Sequence, residues 1–176
     1  MADFYPYLIS SLPMLHPGMK PPFAFERFLE MCREFVPEKD FQILCSLPQP
    51  EQYPGTGRVP PTVLNWVEFD SALRNELVGI RATRRQLEPA AYLRPDGYSG
   101  PSLAPGVTAA TLQASILDSE KALDEMRWKA LEELAAGHYF DLAFLVTFAY
   151  KLLILERWEK IRSADGRILL EQAFAP

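Results

Sequence analysis

The sequence predicts an all-α fold: a single-domain helical bundle over residues 1–176, with an extended proline-rich N-terminal arm. Three observations carry this. Eleven of the 16 prolines precede residue 62, and none lies between Gly106 and Ala175. Apolar residues recur at i, i+3, i+4 and i+7 in several segments, the spacing of a helix with one buried face. The run LAFLVTFAYKLLIL, residues 142–155, is apolar apart from Thr147 and Lys151. A helix that is apolar on nearly every side needs surroundings of protein or lipid. This run is shorter than the roughly 20 residues that a bilayer requires, and a lysine in mid-membrane is costly. It reads as a central core helix without a membrane span.

The first 22 residues form the arm. Pro6, Pro13 and Pro17 remove backbone donors and oppose a regular helix, and a short strand over Tyr5–Ser10 fits the remainder. Tyr5, Tyr7, Leu8, Ile9 and Leu12 suggest that the arm lies on the body. Phe25, Phe28, Leu29, Cys32, Phe35 and Val36 then define the apolar face of a helix that Pro37 stops. A second helix, Glu38–Ser46, turns Phe41 and Leu44 inward. Residues 47–61 hold five prolines and two glycines and read as a loop.

A long helix follows from about Thr62 to Leu87, with Trp66, Phe69, Leu73, Leu77, Ile80 and Leu87 as its stripe. Arg81, Arg84 and Arg85 near its end complement the helix dipole. Four prolines and three glycines between Pro89 and Gly106 predict a flexible loop. Thr108–Ile116 reads as a short turn. Asp118 or Ser119 caps the next helix, which ends before Gly137 and turns Leu123, Met126, Ala130 and Leu134 inward. Asp141 caps the central helix, with Phe140 and Leu145 placed for a hydrophobic staple. Ser163–Gly166 ends it, and Arg167–Phe174 forms a last short helix.

Net charge is −5 at 176 residues. That opposes a nucleic-acid partner, which needs a basic face. The two cysteines, Cys32 and Cys45, fall in apolar helical patterns and read as buried reduced thiols. Without a basic n-region at the start of the sequence, the expected location is cytoplasmic. No glycine-rich loop has nucleotide-binding spacing; Gly55 and Gly57 lie among prolines. His16 and His138 have no Cys or carboxylate partners at metal-ligand spacing. The expectation is therefore no catalytic site, no cofactor and no metal.

Three polar clusters remain as candidate interfaces. Arg74, Glu76 and Arg81 flank the stripe of the long helix. Arg127 borders the packed face of a later helix, either as a snorkelling side chain or in a buried Arg–Glu pair that fixes register. Arg157 and Trp158 have the composition of an interface hot spot. If residues 142–155 are not covered within one chain, a homodimer or another partner must cover them.

The segments YLISSLPML and PPFAFERFLEMC, then ALRNELVGIRA, EKALDEMRWKALEEL and FDLAFLVTFAYKLLILERWEKI, occur in that order. In these the chain resembles an uncharacterised bacterial family described as a putative V-type ATPase subunit, typically encoded beside V/A-type ATPase genes. It is similar, distantly, to the funnel-shaped central-stalk component of those enzymes. The resemblance implies an all-helical, non-catalytic subunit that links the central shaft to the membrane ring, peripheral to the membrane through the ATPase. The chain is much shorter than the funnel-shaped component, so it would replace only part of the funnel. A free-standing helical adaptor with a soluble protein partner is the alternative.

Overall fold

Proline stands at the start of four of the described α-helices. The computed structural model describes residues 4–48, 59–95 and 97–174, with side chains through residue 164. Among these residues are seven α-helices and no strand. The fold is all-α. Within it the chain divides into two compact units: Met1–Gly55 with Gly137–Pro176, and Thr56–Ala136.

The first unit begins with α1 (Pro6–Ser11), where a strand is expected from sequence. Pro6 occupies its first turn, where the missing N–H has no intrahelical partner to lose. Leu8, Ile9 and Leu15 are buried, so the arm is held to its unit. The Tyr5 backbone N–H donates to the Phe140 carbonyl at 2.6 Å, and its hydroxyl donates to Asp40 at 2.6 Å. Helices α2 (Phe25–Arg33) and α3 (Glu38–Ser46) follow, with Pro37 as the N-cap of α3. Phe25, Phe28, Cys32 and Leu44 are buried, whereas Phe35 is exposed and meets the ring of Tyr7. Cys45 is exposed as well, contrary to the expectation of two buried thiols. Cys45 follows Leu44 by one residue within α3, about 100° round the helix, and so lies off the face centred on Leu44. The loop read at 47–61, with Gly55 and Gly57, lies largely outside the described residues.

The last helix of this unit, α7 (Leu142–Phe174), has 33 residues. The expected break at Ser163–Gly166 is absent. No proline stands there, and a single helical glycine costs only about 1 kcal/mol. No side chain between residues 142 and 156 is exposed. Phe148 packs beside Phe23, Phe28 and Phe144, with centroids 5.4 to 6.5 Å away. Asp141 caps α7 as expected: its Oδ1 accepts from the Phe144 N–H at 3.1 Å. Leu145 is buried but Phe140 is exposed, so Phe140 contributes its carbonyl more than its ring. A cap for α2 comes from α7. Ala24 offers no side-chain acceptor, and Glu156 accepts the Phe25 N–H at 2.7 Å. An acceptor with a negative charge suits the donor-rich, positive end of a helix.

The second unit is built on α4 (Pro61–Arg85), again with proline in its first turn. Gln86 closes it in a left-handed conformation at φ 56°. Trp66, Phe69, Leu73 and Leu77 are buried, but Leu87 lies beyond the cap and is exposed. The stretch expected to be a flexible loop is laid back on α4. Pro89–Tyr92 makes one 3-10 turn, and the Asn75 amide clasps the Arg94 backbone with two hydrogen bonds of 2.8 and 2.9 Å. Helix α5 (Ala104–Thr111) stands where a short turn is expected. Helix α6 (Ile116–Ala135) is capped by Ser115 rather than Asp118 or Ser119. The Ser115 hydroxyl accepts from the Asp118 N–H at 3.0 Å and donates to the Asp118 carboxylate at 2.6 Å. Asp118 thus serves the cap from three residues inside it. A Cβ on Gly106 would lie 2.8 Å from the Met126 methyl carbon, so glycine lets α5 approach α6 closely.

Candidate functional site

The densest polar arrangement joins α4 and α6. Asp70 faces α6 from the apolar side of α4, one position beyond Phe69. Asp124 and Arg127 are one turn apart on α6, between the buried Leu123 and Trp128. The Arg127 Nε donates to Asp70 Oδ1 at 2.8 Å, and one terminal nitrogen donates to Asp124 Oδ1 at 2.9 Å. Asp70 Oδ2 is taken by the Arg74 Nε at 2.8 Å. Arg127 and Asp124 side chains are only 11% and 5% exposed, so these charges are largely removed from water.

Burial alone would disfavour the Arg127 guanidinium charge. The charge and hydrogen bond of Asp70, then those of Asp124, more than offset it and raise its pKa above the ordinary arginine value. Two cations and two anions balance, and the guanidinium fork fixes both carboxylates in direction. Such a set pins the register of α6 against α4.

Beside this network lies a cavity of about 280 Å³, lined by Asn65, Glu68, Phe69, Tyr98, Glu133 and Leu134 among others. The Tyr98 ring stands edge-on to Phe69 at 5.8 Å between centroids. Burial, and then the charge of Glu133, raise the Tyr98 phenol pKa. A Cβ on Gly97 would sit 2.6 Å from the Glu68 carboxylate, so glycine allows this close approach. The lining offers the Glu68 and Glu133 carboxylates with the Asn65 amide and the Tyr98 and Ser99 hydroxyls, so it can both accept and donate hydrogen bonds. Among the described residues no group of three or more His, Cys, Asp or Glu side chains is placed to hold a metal ion. No described helix is long and apolar enough to cross a membrane.

Asp70 brings together two of the six candidate interface residues, Arg74 and Arg127. Glu76 is half-buried on α4, and Arg81 is exposed towards its end. Arg157 and Trp158 belong to the other unit, where the guanidinium carbon lies 5.9 Å from the indole centroid. The buried pair considered for Arg127 is present, but its acids are Asp70 and Asp124 in place of a glutamate. Glu125, Glu132 and Glu133 of α6 stand at exposed positions, whereas a short aspartate fits beside a packed arginine. Asp70 and Asp124 precede arginines by four and three residues, a helical pairing signal that sequence reading passed over.

Residues 105–173 match a family described as protein of unknown function (DUF2764). This stretch holds most of α5, the whole of α6 and nearly all of α7. No curated protein and no solved structure gives a significant match.

Proposed function

We propose that this chain is a non-enzymatic structural or assembly subunit of a V/A-type ATPase, similar to the funnel-shaped central-stalk component, acting between the central shaft and the membrane ring. The observation that carries the reading is the ordered set of sequence segments resembling the putative V-type ATPase subunit family. Two of them, residues 120–134 and 140–161, fall within α6 and at the start of α7. Each is a stiff element in its own unit. At 1.5 Å per residue, the 33 residues of α7 reach about 50 Å. Over residues 142–156 no side chain is exposed, which suits an element that transmits force. The balanced Arg127 network holds α6 against α4 in the same sense.

On this reading the protein lies at the cytoplasmic face, peripheral to the membrane through its partners. The test is purification of the tagged protein from membranes of the native host under gentle extraction, with quantitative mass spectrometry. Stoichiometric recovery of catalytic, shaft and ring subunits is expected. Recovery of no ATPase subunit overturns the proposal, and enrichment of one soluble partner instead supports a free-standing helical adaptor.

A further inference from the structure

Every other arginine whose side chain is described is engaged. Arg27 pairs with Glu30, Arg33 lies over Phe41, Arg74 and Arg127 hold Asp70, and Arg162 holds Glu159. Arg94 and Arg157 are likewise engaged. Arg81, Arg84 and Arg85 differ. All three are exposed, and none has an ion-pair or ring partner among the described residues. Their spacing, i, i+3 and i+4, puts them on one face of α4 within about one turn.

Like charges at this spacing repel. The dipole at the end of α4 compensates the two in its last turn, Arg84 and Arg85. It does not account for Arg81, which lies a turn earlier, nor for three planar forks on one face. In a chain of net charge −5, three neighbouring cations with no ion pair among the described residues form a local reversal of charge.

We propose that this arginine face docks an acidic helix of a partner protein. Guanidinium forks bind carboxylates in two-point fashion, and glutamates at i, i+3 and i+4 on a facing helix present the same short row. An extended polyanion fits less well. A flat anionic membrane or a nucleic-acid backbone would also meet the exposed Glu88, only three residues beyond Arg85. Three cations by themselves also fall short of stable membrane attachment. A single helix is narrow enough to touch the arginines alone. The chemistry of this one surface is independent of the ATPase reading.

The test uses the full-length chain and a fluorescein-labelled alanine-based helical peptide with glutamates at i, i+3 and i+4, read by fluorescence anisotropy at low and high salt. Binding that weakens with salt is expected. The R81Q/R84Q/R85Q variant should bind about 10-fold more weakly, from three exposed charge pairs. Gln and Arg have similar helix propensity, so the helix is retained and circular dichroism checks it. The triple lysine variant, which keeps the charge and loses the forks, should fall between the two. Equal binding by wild type and the glutamine variant overturns the proposal. So does equal binding of a peptide with the same glutamates distributed around the helix. Binding to vesicles containing anionic phosphatidylglycerol in the absence of peptide binding overturns it in favour of a lipid surface.

Discussion

Helices α6 and α7 are fixed in different ways. In its unit, α7 is surrounded by apolar side chains, and its register follows from how Leu145, Phe148, Leu152 and Leu155 fill the space against α2 and α3. In the other unit, α6 carries a charged residue at the centre of its packed face, and Arg127 reaches across to Asp70. Apolar packing tolerates small displacements, because its energy changes gradually with distance. A buried guanidinium between two carboxylates does not, because a shift leaves a charge unpaired. The first arrangement provides adhesion, and the second provides position.

This contrast is broken most directly at Arg127. Arg127→Ala removes the guanidinium that holds both Asp70 and Asp124, and removing one member of such a buried set costs about 3–5 kcal/mol. Equilibrium denaturation of purified protein measures it. A loss below about 1 kcal/mol would mean that water reaches Asp124 and that the network is not a pin. The companion variant R127M/D70L/D124L replaces all three charges by apolar groups and should recover most of that loss.

Leu152→Ala probes the other helix. Leu152 is fully buried, and truncation there should cost about 3 kcal/mol through lost burial and the cavity left behind. Unlike the arginine, it has no partner whose removal restores stability. The comparison fails if a second substitution on α2 rescues it.

Titration separates the two cysteines of the α7 unit. Burial, and secondarily the Cys45 charge, push the Cys32 thiol from 9.0 up to about 12. The folded state therefore holds the proton more tightly than the unfolded chain. That contribution to stability is complete below pH 9 and is lost as pH rises towards 12. At pH 10 the loss should be about 1 kcal/mol, and Cys32→Ala should remove this part of the pH dependence. Below that range, a thiol reagent should label one cysteine in native protein, the exposed Cys45, and both in denaturant. Labelling of both in native protein at pH 8 would contradict the burial of Cys32.

A smaller effect is expected at the start of α6. Ser115→Ala removes the hydroxyl that accepts the Asp118 N–H and should cost about 1 kcal/mol, measured in the same denaturation assay. A cost near zero would mean that Asp118 or water takes over the orphan donor.

The apolar contrast was legible in the sequence and the polar one only in part. The run at 142–155 announces a buried helix through composition alone, and Asp141 announces its start. The stripe Trp66, Phe69, Leu73 and Leu77 was equally plain. The helix α1 was not, because prolines oppose a helix everywhere except in the first turn, where Pro6 stands. Gly166 misled in the opposite direction, because glycine weakens a helix without ending it. For Arg127, spacing placed the residue at the border of the packed face. Its chief partner is 57 residues away on α4, and only the packing of two helices brings them together. Glu156 capping α2 across 131 residues is hidden for the same reason.

The finest test of the contrast is Arg74. It shares Asp70 with Arg127, at the same 2.8 Å, but its side chain is 54% exposed where that of Arg127 is 11%. If geometry alone set the energy, the two would be equivalent. Water screens the outer pair, and Arg74→Ala should cost under about 1 kcal/mol in equilibrium denaturation. A double-mutant cycle with Asp70→Asn then apportions the carboxylate between its two arginines. Strong coupling to Arg127 with weak coupling to Arg74 means that burial gives the network its hold on register. Equal coupling would mean that the three groups act as a surface cluster, and that α6 owes its position to apolar packing, as α7 does.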